Sequence, residues 1–180
     1  QLHHHFNVTD DFLIREKIAF SQGEGRNVIT GNVGGYEYTA RLELYPFGDF
    51  TFEDVDYENT PKIMVSGAYD FNNNAVKTRG NVGSFMENDI GFYHTNTYSL
   101  FLDAMFKYKG ISFLGSYAQR DAKDPIAKNS DGSPTGKVVQ IGKGFNFQAG
   151  YLFPKNWEIA GRYTHTKWSL DQTDLLPERQ

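Results

Sequence analysis

Residues 144–164 alternate with period two on both sides of a short turn, and that alternation limits what the chain can become. One face reads Phe145, Phe147, Ala149, Tyr151 and Phe153, then Trp157, Ile159, Gly161 and Tyr163. The other reads Asn146, Gln148 and Gly150, then Glu158, Ala160, Arg162 and Thr164. Successive side chains of a strand point to opposite sides, so this is an antiparallel hairpin turning at Pro154-Lys155-Asn156, with one apolar and one polar face. In a sheet that buries its apolar face against its own core, the polar face meets solvent. In a membrane-spanning barrel the pattern is turned inside out, with apolar residues toward lipid and polar ones toward an aqueous interior.

The pattern recurs along the chain. Candidate strands lie at 11–21, 36–47, 62–72, 98–108, 111–121, 144–153 and 157–168, with an additional one at 2–8. Their apolar faces are Tyr36, Tyr38, Ala40, Leu42, Leu44; Ile63, Val65, Gly67, Tyr69, Phe71; Leu100, Leu102, Ala104, Phe106, Tyr108; and Ile111, Phe113, Gly115, Tyr117. Most run about ten to twelve residues, whereas globular strands average ~5–6 and bilayer-spanning ones need ~9–11. The connections alternate in length. Segments 22–35, 73–97 and 122–143 are long and without a strand pattern, while Lys109-Gly110 and Pro154-Lys155-Asn156 are minimal; segment 48–61 is intermediate and acidic. Short turns on one side and long loops on the other characterise outer-membrane barrels. No 3.6-residue period develops, even at 82–91.

Composition narrows the classes. A mean hydropathy of −0.56 fits the absence of any apolar run near the ~20 residues of a membrane helix, a test to which a barrel is blind. The 180 residues suffice for one domain with a sizeable core. Net charge is −4, with no basic stripe to suggest nucleic acid, and no cysteine offers a disulfide or thiolate metal site. The sequence opens Gln1-Leu2-His3 with neither Met nor a signal-peptide pattern, and Leu175-Leu176-Pro177 reads as a strand about to begin; both ends are expected to be cuts in a longer chain.

Few residues suggest chemistry. His3, His4 and His5 are adjacent, so their rings cannot all face one ion, and a polar, tag-like end is expected. The glycines of 23–35 precede a strand, not a helix, so a surface loop is expected there and not a phosphate cradle. Asp54, Asp56 and Glu58, and likewise Asp121, Asp124 and Asp131, read as solvated turns, although alternating carboxylates also suit calcium. No nucleophile elbow or zincin helix is present, and no enzyme is expected. The informative charges are Arg41, Lys62, Lys107, Arg120 and Arg162 against Glu37, Glu43, Asp70, Asp103 and Glu158, all alternating away from the aromatic face. The strand at 11–21 is less regular, because Glu16 shares a face with Phe12, Ile14 and Ile18. Tyr45, Phe47, Tyr108, Phe153, Trp157 and Trp168 lie near strand ends, where interfacial girdles are expected.

The runs Tyr38-Thr39-Ala40-Arg41-Leu42-Glu43-Leu44-Tyr45-Pro46-Phe47-Gly48, Pro61-Lys62-Ile63-Met64-Val65-Ser66-Gly67-Ala68-Tyr69-Asp70-Phe71-Asn72 and Asp103-Ala104-Met105-Phe106-Lys107-Tyr108-Lys109-Gly110 resemble the middle portion of the phosphate-selective porin O and P family. So does the hairpin at 144–164. The resemblance implies an all-β fold, an antiparallel transmembrane β-barrel of roughly sixteen strands, of which residues 1–180 would hold about seven or eight as a single segment. It implies the outer membrane of a Gram-negative bacterium, contact with its lipid, a homotrimer, and passive diffusion of small polar or ionic solutes, anions such as phosphate among them. Pore-lining candidates are Arg41, Glu43, Lys62, Asp103, Lys107, Arg120, Glu158 and Arg162; no cofactor, metal or nucleic-acid partner is expected. The rival expectations are a soluble ligand-binding β-barrel and a non-conducting barrel component of an envelope complex.

Overall fold

The computed structural model describes residues 1–25, 33–50, 59–155 and 157–169. Eight antiparallel strands pair in chain order into one open sheet: β1 (Leu2–Asn7), β2 (Leu13–Gln22), β3 (Tyr36–Tyr45), β4 (Lys62–Ala75), β9 (Thr95–Tyr108), β10 (Ile111–Ala122), β13 (Gly142–Phe153) and β14 (Trp157–Trp168). Intervening labels belong to three small hairpins: β5 (Lys77–Arg79) with β6 (Val82–Phe85), β7 (Glu87–Asn88) with β8 (Gly91–Phe92), and β11 (Ile126–Lys128) with β12 (Pro134–Val138). No helix forms among the described residues. Among the described residues β1 and β14 do not pair with each other or with a further strand, so the sheet has two free edges there.

Register carries the alternation across the sheet without a slip in its middle. His5, Arg15, Glu43, Ser66, Asp103, Ser116, Asn146 and Thr164 stand side by side, one per strand, and all are polar. The next row on the opposite face is Phe6, Ile14, Leu44, Val65, Ala104, Gly115, Phe147 and Tyr163. A period of two puts consecutive rows on opposite faces, so the first face is polar and the second apolar from edge to edge. Burial runs opposite to that of a soluble protein: Glu43 is 4% exposed and Ser99 2%, while Leu102 is 47% exposed and Tyr69 49%.

The core is correspondingly small, not the sizeable one that chain length allows. Leu13, Tyr45, Phe50 and Met64 cluster at the short-turn end on the polar side, with Met105 against them. Met86, Ala127 and Val139 cluster within the loops, flanked by Tyr93, Ala122 and Ile141. The alternating apolar face contributes to neither cluster.

Several expectations change. Segments 73–97 and 122–143 contain the three hairpins, and they knit together: the Gln140 amide donates to the Thr78 carbonyl at 2.7 Å, and Lys137 Nζ to the Phe85 carbonyl at 2.8 Å. Segment 22–35 is not simply a surface loop, since Glu24 is fully buried, its carboxylate accepting from the Gly34 amide and its carbonyl from Lys77 Nζ at 2.6 Å. Tyr45 and Trp168 do not belong to an outward girdle; their pairing with Leu13 and Gly142 puts them on the polar face. Asp54, Asp56, Glu58, Asn156 and the end at 175–180 lie outside the described residues. The Lys109-Gly110 turn has φ of 46° and 82°, the two positive values a type I′ hairpin requires.

Candidate functional site

Ionisable groups of several strands converge on the polar face. Period two brings all eight candidates, Arg41, Glu43, Lys62, Asp103, Lys107, Arg120, Glu158 and Arg162, to this face, along with Glu37 and Asp70. Three of them meet at its centre. Arg41 on β3 donates through Nε to Glu43 Oε1 at 2.6 Å and through Nη1 to Asp103 Oδ2 on β9 at 2.9 Å, while Nη2 reaches Ser66 Oγ on β4 at 2.8 Å. One guanidinium thus ties three strands, using the fork geometry that suits two carboxylates at once.

Glu43 gathers further donors: Lys17 Nζ at 2.8 Å and the Tyr45 hydroxyl at 3.2 Å. Arg15 donates to the Tyr45 hydroxyl at 3.2 Å and pairs with Asp49 at the short-turn end. Two cations therefore flank one almost fully covered anion at the middle of this face, and Asp103 supplies the second. The charges balance locally.

The remaining candidates are dispersed. Lys62 and Lys107 stand directly opposite each other toward the short turns. Arg120, at the loop end of β10, donates Nε to Ser99 Oγ at 3.2 Å. Arg162 Nε and Nη2 reach Gln148 Oε1 at 3.0 and 2.6 Å, and Glu158 lies two same-face rows nearer the turn, opposite Leu152. No family model, curated protein or solved structure matches this chain. What the chain can do is therefore argued from its own two faces.

Residues that sequence reasoning left out complete the surface. Arg15 and Lys17 were hidden by Glu16, which makes β2 look irregular; in place, Glu16 is the outlier, on the apolar face with His4 Nδ1 at 3.2 Å. The three histidines alternate across β1, opposite Lys17, Glu16 and Arg15, so their rings diverge. Asn81, between β5 and β6, was unforeseen: its Nδ2 donates to both Glu37 carboxylate oxygens at 3.0 Å. Together with Gly80, whose φ of 71° brings the backbone near Thr97 and Asn72, it lays the β5–β6 turn against the loop end of the polar face. Parity along β3 and β4 could have marked Glu37 and Asn72 as the receiving surface, but nothing local marks Asn81.

The apolar face has its own order. Ring centroids of Phe20 and Tyr36 are 4.9 Å apart, Phe20 and Tyr38 5.2 Å, Tyr38 and Phe71 6.2 Å, and Phe71 and Tyr98 5.3 Å, an aromatic chain across four strands at the loop end. Tyr151 and Phe153 make an edge contact at 4.7 Å at the other end.

Proposed function

We propose that the chain is part of a porin-like outer-membrane β-barrel, related to the phosphate-selective porin O and P family it resembles, that passes small polar or ionic solutes by diffusion. The observation that carries this reading is the pair of adjacent rows, polar on all eight strands on one face and apolar on all eight on the other, with Phe6, Val65, Phe147 and Tyr163 of the apolar row exposed. Water on the polar side and hydrocarbon on the apolar side satisfy both rows; a soluble ligand-binding barrel needs the reverse. Dimensions agree. Tyr98 and Tyr108 on the apolar side of β9 bracket ten residue steps, about 33 Å of strand. At a tilt of about 40° that is about 25 Å, the height of a lipid-facing band.

On this reading the central wall sorts solutes weakly by charge, because Arg41 and Lys17 are held by Glu43 and Asp103. Strong phosphate selectivity would require cations left to the solute. Two measurements test the proposal. Single-tryptophan variants in vesicles carrying brominated acyl chains should show Trp157 quenched and Trp168 spared; equal quenching of both, or of neither, removes the membrane placement. The polypeptide carrying residues 1–180, in planar bilayers, should conduct with a small salt-gradient reversal potential. Arg41→Ala should move that potential toward cations by exposing Glu43 and Asp103. No shift would take Arg41 out of the selectivity wall.

A further inference from the structure

β1 and β2 break the apolar face at one place. His4 and Glu16 stand opposite each other in the register, and the imidazole meets Glu16 Oε2 at 3.2 Å. Across the rest of the sheet their row reads Leu42, Gly67, Leu102, Tyr117, Phe145 and His165. Ile14 lies on the turn side of Glu16 and Ile18 on its loop side, so the carboxylate falls inside the apolar band and not at its margin. Among the described residues, the other ionisable groups of this face are Asp121, Lys143, His165 and Lys167. They occupy the loop half of β10, β13 and β14, from which long side chains can reach toward headgroups.

The pair is open to its surroundings: 60% of the His4 side chain and 49% of that of Glu16 are uncovered. Each also has polar capacity to spare. The imidazole has a second nitrogen and the carboxylate a second oxygen, and among the described residues neither makes another hydrogen bond. Leu2, Phe6 and Ile18, all exposed, frame the two. Hydrocarbon supplies no partner for such groups, and ionisable side chains within a membrane are paired or covered by protein.

Symmetry names the cover. Copies inserted the same way into a bilayer are related by axes along the membrane normal. A two-fold axis passing between β1 and β2 sets Glu16 of one copy against the partner's His4, and His4 against the partner's Glu16, because the two share one row. A patch carrying both the donor and the acceptor is thus complementary to itself.

We propose that this patch is the contact between two copies of the chain, joined by reciprocal His4–Glu16 hydrogen bonds and framed by Leu2, Phe6 and Ile18. The inference rests on the membrane reading, since only lipid leaves the pair in want of a cover.

The chain has no cysteine, so Lys155→Cys gives a single labelling point at the β13–β14 turn. Donor- and acceptor-labelled copies carrying Trp168→Phe are mixed in phosphatidylcholine vesicles at high dilution. Quenching of Trp157 by brominated acyl chains is read on parallel samples. Energy transfer should appear and rise linearly with the acceptor-labelled fraction, as it does for two subunits. His4→Glu alone and Glu16→Lys alone each bring like charges together and should weaken association at least about tenfold. Mixing these two variants should restore transfer, because each supplies what the other lacks. The double variant should match the parent, which separates lost contact from lost folding. Single variants that transfer like the parent, a mixture no better than either alone, or a double variant without transfer would overturn the reciprocal contact. A curved dependence on acceptor fraction would overturn the two-fold. Trp157 quenched without transfer would remove the interface and leave the membrane placement; transfer with Trp157 unquenched would do the reverse.

Discussion

Glu43 shows how much one side chain holds on the polar face. It is almost fully covered, yet three donors on β2 and β3 converge on it: Lys17, Arg41 and Tyr45. Glu43→Gln keeps the shape and removes the charge, leaving Arg41 with Asp103 alone and Lys17 without its carboxylate. The expected cost is roughly 1–3 kcal/mol, read as a lowered urea midpoint with an unchanged slope. That Glu43 belongs to the polar face was legible from period two alone, as it was for the other nine charges. Its partners were not, because Lys17 sits on a strand whose parity Glu16 obscures, and Asp103 lies 62 positions from Arg41. Tyr45 and Trp168 teach the complementary lesson. Proximity to a strand end suggests a girdle, but parity decides the face, and both residues are in step with the charges.

Among the elements, the tight turns were the easiest to read and the loop hairpins the hardest. Lys109-Gly110 declares itself by length and by glycine, and the positive φ at Gly110 makes a second prediction. Gly110→Ala should cost about 1 kcal/mol, seen as a lower melting temperature, since a Cβ is disfavoured in the left-handed region. The loop hairpins span two to five residues per strand, too short for periodicity, and the residues that bury them (Val76, Met86 and Val139) are scattered. One loop contact is sensitive to acid. Ser130 donates its hydroxyl and its amide to the Asp89 carboxylate, holding that carboxyl below the ordinary aspartate range. A depressed folded value means the contact contributes fully above the unfolded pKa and is lost as pH falls through the folded one. Ser130 amide exchange, corrected for intrinsic rate, should therefore lose protection below about pH 4. In Asp89→Asn that acid response should disappear.

At the scale of the whole molecule, strand number and the alternation of faces were legible, since seven strands and an additional one at 2–8 were expected and eight pair in sequence in the main sheet. The open edges and the small size of the core were not legible, because periodicity describes strands singly and is silent on what surrounds the sheet. A single outward substitution separates the surroundings. Leu102 lies mid-strand on the apolar face, so in lipid Leu102→Arg should destabilise by about 2–4 kcal/mol. On a water-exposed surface the same change should stay within about 0.5 kcal/mol. Unfolding titrations in phospholipid vesicles read the difference directly.

The unpaired β14 edge has a consequence for assembly. On an antiparallel edge about half the residues direct N–H and C=O away from their neighbour, so this 12-residue strand leaves roughly six of each unmet. Water absorbs that deficit; hydrocarbon charges several kcal/mol for each group. On the reading proposed above, entering a bilayer and completing a ring of strands would become one concerted event. A partly zipped sheet would then be held at the headgroups until its last seam closes.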